Sequence, residues 1–188
     1  MTKKQTAGAR TLQTDTLQIS RIHFIYVFAY AGLTGAYGAW KLVTPEALAQ
    51  RWMVAIALFM TTLVAWYAAR HNSRGPNFYQ TVLSLLISID IFVAAFTVYS
   101  QRGMASRAVL LFCLPIAMSA ALRSKTALYG TAAVSAMAYS LAAIKYFMDY
   151  PSEGYKVELY GDVLFYSALF FVLAAMLSAL AINRNSKA

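Results

Sequence analysis

Residues 84–122 read SLLISIDIFVAAFTVYSQRGMASRAVLLFCLPIAMSAAL. The first half is an apolar run close to the ~17–25 residues that a membrane-spanning helix requires. Asp90 nevertheless sits near its middle. A carboxylate at that depth costs about 2.5–3.5 kcal/mol on insertion scales, so it should face other helices and not lipid. The second half is another apolar run, interrupted by Pro115, which removes a backbone donor and predicts an irregular helix.

The same texture extends along the whole chain. Of its 188 residues, 60% are hydrophobic and 12% charged. Soluble domains are usually about 45–50% apolar and about 25% charged, so this composition belongs to the membrane class. Six spans are predicted, at 22–43, 52–69, 78–99, 105–122, 126–148 and 159–182, giving an all-α integral membrane bundle of six transmembrane helices. Pro45, Arg74-Gly75-Pro76, Gln101-Arg102-Gly103, Arg123-Ser124-Lys125 and Pro151-Ser152-Glu153-Gly154 mark the breaks. Such short links make consecutive helices antiparallel neighbours. Residues 1–20 are expected to form a flexible or interfacial cytoplasmic leader, 21–183 the transmembrane domain and 184–188 a cytoplasmic tail. The leader does not read as a cleavable signal peptide, because the apolar segment after it outruns a typical signal core.

Charge placement sets the orientation. Lys3, Lys4, Arg10, Arg21, Arg70, Arg74, Arg123, Lys125, Arg184 and Lys187 fall on one side, with Asp15 as the accompanying acid. Lys41, Arg51, Arg102, Arg107, Lys145 and Lys156 fall on the other, with Glu46, Asp149, Glu153, Glu158 and Asp162. The balance is +9 against +1, which predicts cytoplasmic termini in an inner membrane by the positive-inside rule. The basic excess is thereby accounted for by topology and anionic lipid, and nucleic acid is not an expected partner. Trp40, Trp52, Tyr67, Tyr99, Tyr146 and Tyr150 lie near span ends, where amphipathic rings settle.

Few residues suggest chemistry. His23 and His71 lack a second ligand at metal spacing, and the single Cys113 cannot form an intramolecular disulfide, so neither metal nor cofactor is expected. No motif of a hydrolase, nucleotide-binding loop or intramembrane carboxylate pair is present, and the chain is not expected to be an enzyme. Gly32, Gly35 and Gly38 form a small-residue stripe on span one that would let another helix approach closely. Thr97, two turns beyond Asp90, shares its helix face.

The run Asp90, Thr97, Tyr99, Gly103, Ser106, Leu114-Pro115-Ile116, Ala120 and Ala121 resembles the six-helix membrane input domain of bacterial sensor histidine kinases of the pilus-regulating type. The similarity covers mainly residues 84–145. Gln101 and Arg102 depart from it where the family often has a second glycine. The sequence given ends five residues after Asn183 and contains neither a phospho-accepting helix nor an ATPase domain, so the expectation is an input-like domain without kinase activity. Asp90, Thr97, Tyr99, Arg102 and Pro115 are the candidate ligand- or partner-binding residues, with an interhelical packing bond as the other reading of Asp90. Membrane lipid, a partner protein, a second copy of the chain or a small apolar ligand are the expected partners. A transporter or channel subunit, or a structural subunit of a larger membrane assembly, are the other readings of the same spans.

Overall fold

The computed structural model describes residues 3–71, 74–101, 103, 106–150 and 158–185. The helices are α1 (Lys3–Ala39), α2 (Pro45–His71), α3 (Pro76–Ser100), α4 (Cys113–Ser119), α5 (Lys125–Asp149) and α6 (Glu158–Asn185). No strand occurs among the described residues. The chain divides into two compact units, residues 1–86 and 87–188, with the boundary inside α3.

In the first unit, α1 and α2 form an antiparallel hairpin. Contacts climb one helix as they descend the other. Gly38 meets Leu48, Phe28 and Phe24 meet Phe59, His23 meets Thr62, and the Gln13 amide donates to the Ala69 carbonyl at 2.8 Å. The turn between them is built locally. The Leu42 amide reaches back to the Tyr37 carbonyl and the Lys41 amide to that of Gly38, a Schellman closure that puts Lys41 at φ +52°. Thr44 then caps α2 through the Ala47 amide, and Pro45 takes the first helical position, where its missing N–H is no loss.

The leader is helical. α1 is continuous from Lys3, and Leu12, Thr16 and Ser20 are buried. The polar positions are tolerated because the Thr16 and Ser20 hydroxyls donate to the carbonyls four residues back, at 2.7 and 2.8 Å. Leu12 joins Ala69 and Tyr79 in a core that Leu17 and Phe78 flank.

The second unit is centred on aromatic contacts. Phe112, Tyr139 and Phe170 approach within 5.5–6.2 Å of one another by ring centroids, and all three are essentially inaccessible. Helix α5 buries Ala132, Ser135, Ala136, Ala142 and Ala143, small residues that let α4 and α6 pack close to its backbone.

The predicted span 105–122 is not one α-helix. A 3₁₀ segment, Arg107–Phe112, passes into α4, and a second 3₁₀ turn, Ala120–Leu122, follows it. Pro115 lies in the first turn of α4 and brings no amide proton to it, two residues after the 3₁₀ segment hands over through the Cys113 amide to the Leu110 carbonyl, so it marks the change of helix type. With about 2.0 Å rise per 3₁₀ residue and about 1.5 Å per α residue, the sixteen residues extend about 28 Å, where a pure α-helix would reach about 24 Å.

Among the described residues, four helices are long and apolar enough to cross a membrane: Pro45–His71, Pro76–Ser100, Lys125–Asp149 and Tyr160–Leu180. Only 17% of the apolar window of Tyr160–Leu180 is buried inside the protein. Phe92, Leu164, Ile25 and Leu110 are likewise outward-facing. Surface of this kind would be a liability in water and is the normal exterior in lipid.

Candidate ligand site

Asp90 lies on α3 with 4% of its surface exposed, among the buried Ile91, Val93 and Ala94. Thr97 is also buried, but its hydroxyl donates to the Val93 carbonyl of its own helix at 2.7 Å. Seven residues separate the two positions by about 10.5 Å along the helix axis, more than the two side chains can bridge. They share a face and do not form one polar spot. Arg102 lies outside the described residues. Pro115 is buried in α4, which packs on α5 and α6. Of the stripe on α1, only Gly38 meets a neighbour, Leu48 at 3.1 Å from an added Cβ; Gly32 and Gly35 face open space.

Tyr99 belongs to a different constellation. Its hydroxyl donates to Oδ2 of Asp149 at 2.7 Å, and Lys145 Nζ donates to Oδ1 of the same carboxylate at 2.7 Å. The distances are those of charge-assisted bonds. The ring of Tyr99 stands edge-on to Tyr146, which lies against Tyr150 at 4.8 Å. Gly103 packs on the ring of Tyr146. Its φ is +61°, and a Cβ there would come within 2.9 Å of the Tyr146 ring, so glycine is required twice over.

Below this polar end runs an apolar groove of about 390 Å³. Phe92, Ala95 and Phe96 of α3 form one wall, and Ala138, Leu141 and Ala142 of α5 form the other. Tyr99 and Lys145 line its remaining end. Alanines at three of these positions create the volume, since larger side chains would fill it. The size falls within the ~300–1,000 Å³ of small-molecule sites.

Sequence reasoning missed Lys145 and Asp149 as site residues and placed them only as interfacial charges. One local signal was available. Asp149 is the last residue of α5, where a negative charge opposes the helix dipole, and Lys145 precedes it in the less favourable i,i+4 order.

A second polar contact was also missed. His23 is 1% exposed, and its Nδ1 lies 2.6 Å from the Thr62 hydroxyl. That hydroxyl has one proton and donates it to the Leu58 carbonyl at 2.6 Å. The His23–Thr62 contact pins α1 to α2.

No protein-family model matches the chain, and comparison with curated proteins and with solved structures finds no match either.

Proposed function

We propose that this is a non-catalytic inner-membrane protein of six spans, resembling a sensor input domain, that takes up an apolar ligand sideways from the bilayer. The observation that carries this reading is the α3–α5 groove, apolar along its length and ended by Tyr99, Lys145 and Asp149. On the charge-derived orientation, that polar end stands at the outer interface and the groove descends into the outer leaflet. The segment Arg107–Leu122 supports a further span, since its 3₁₀ stretches bring sixteen residues to about 28 Å against a hydrocarbon core of about 30 Å. The apolar half of α1 completes the set, with its hydropathy diluted by His23, tyrosines and glycines.

The test is photolabelling with a diazirine-bearing fatty acyl probe in membranes. Adducts should concentrate on residues 92–99 and 138–145, and Ala95→Leu or Ala138→Leu should remove them. Adducts spread evenly over all exposed helix faces, unaffected by either substitution, would refute the groove as a binding site. A second reading, a subunit of a larger assembly, draws on the open faces of Gly32 and Gly35. Disulfide crosslinking between cysteines placed at these positions on two copies, or to a partner, would favour it.

A further inference from the structure

We propose that the groove holds one acyl chain of a phospholipid whose headgroup carries both a phosphate and a primary ammonium, the phosphate on Lys145 and the ammonium on Asp149. This rests on the groove reading above and adds the identity of the headgroup. The polar end presents one positive and one negative side chain, 63% and 30% exposed. Both keep bonding capacity. An ammonium has three protons, and the Lys145–Asp149 bond uses one; a carboxylate offers about four acceptor positions, and Lys145 and Tyr99 use two.

The charges select among headgroups. A headgroup bearing only a phosphate would bind Lys145 but lie beside the Asp149 carboxylate with nothing to offer it. A quaternary ammonium carries no proton to donate to that carboxylate. A primary ammonium beside a phosphate satisfies both groups at once.

Geometry supports the same occupant. Phe92 to Tyr99 on α3 and Ala138 to Lys145 on α5 each advance about 10.5 Å, against about 15 Å for the hydrocarbon of one leaflet. A chain lying in the groove therefore brings its headgroup to the level of Tyr146 and Tyr150, rings suited to the interface. The carboxylate is also held from outside its own helix. Tyr99 on α3 fixes Oδ2, and without it Asp149 would rest on an exposed i,i+4 pair of a kind that orders little.

Native mass spectrometry of the purified full chain tests this, with four lipids of identical acyl chains: phosphatidylethanolamine, phosphatidylcholine, phosphatidylglycerol and diacylglycerol. The ethanolamine lipid should bind about tenfold more tightly than the choline and glycerol lipids, as expected for losing one charge-assisted contact, and about a hundredfold more tightly than diacylglycerol, which loses both. Asp149→Asn should reduce it to the choline lipid's affinity, and Lys145→Gln should bring the choline and glycerol lipids to that of diacylglycerol while the ethanolamine lipid stays above it through its ammonium on Asp149. Tyr99→Phe, which leaves both charges but frees the carboxylate, should weaken the preference without inverting it. Thermal midpoints of all variants report folding independently. Equal binding of all four lipids, lost together in Ala95→Leu, would overturn the headgroup assignment and leave the groove intact. The headgroup assignment also fails if the glycerol lipid binds as well as the ethanolamine lipid. Binding indifferent to Ala95→Leu, or a dimer covering the groove, would overturn both.

Discussion

Asp90 and Tyr139 show how differently buried polar residues can be supported. Asp90 is nearly inaccessible within an apolar helix. Asp90→Asn keeps its shape and hydrogen-bonding edge, so thermal stability in detergent should stay within about 1 kcal/mol of the parent. Asp90→Leu removes that edge and should lower the midpoint clearly more. Equal damage from both would show that the charge or proton itself is required. Tyr139 is the opposite case. Its hydroxyl and that of Ser135 one turn before are buried without a hydrogen-bond partner among the described residues. A buried unsatisfied hydroxyl is unfavourable by roughly 1–3 kcal/mol, so Tyr139→Phe should raise the midpoint while keeping the ring contacts with Phe112 and Phe170. A fall would reveal a bound water at that hydroxyl. Tyr139→Ala, by contrast, should cost about 3 kcal/mol or more through the cavity it leaves.

At the scale of elements, the breaks in the chain were readable because turns are local chemistry. Pro45 and Pro76 each open a helix at its first position, and Ser124 caps α5 by accepting from the Ala127 amide at 3.3 Å. Ser124→Ala should therefore destabilise by about 1 kcal/mol. Lys41 holds a left-handed conformation without being glycine. Lys41→Gly should stabilise by about 1 kcal/mol, read as a higher thermal midpoint in the same detergent. The internal form of residues 105–122, predicted as the fourth span, was not readable. A proline signals that a regular helix is interrupted, but not which neighbouring geometry takes over. Here Phe112 and Ile116 bury completely while the backbone lengthens into 3₁₀ form on either side of α4. The helical leader was not readable for a related reason. Thr16 and Ser20 look solvated in a linear reading, yet each satisfies its hydroxyl on its own helix and can be buried.

For the whole molecule, the proposed six spans with cytoplasmic termini lead to a direct prediction. Reporter fusions after residues 74, 124 and 188 should read cytoplasmic, and fusions near 47, 103 and 153 should read external, following the +9 against +1 balance. A reversed pattern would invert the leaflet that the groove faces, and a pattern with 107–122 failing to cross would remove one span. Either outcome is decided by the fusions on both sides of that segment, near 103 and after 124.

What the sequence determined by itself is the membrane character, the run of helices and the places where they stop. In lipid every backbone donor and acceptor must be met within the segment, so a long apolar run has one local solution, and its ends are written in Pro, Ser and charged residues. Which side chains meet was decided only by the tertiary structure. Asp90 and Thr97 share a face but stay two turns apart, whereas Tyr99 and Asp149, fifty residues apart in the chain, share a hydrogen bond. A helix apolar all round carries little information about its own rotation, because lipid and core are equally good solvents for it. Rotation and register are settled by packing, here by Gly103 against Tyr146 and by the small residues of α5, and with them the site at the end of the groove.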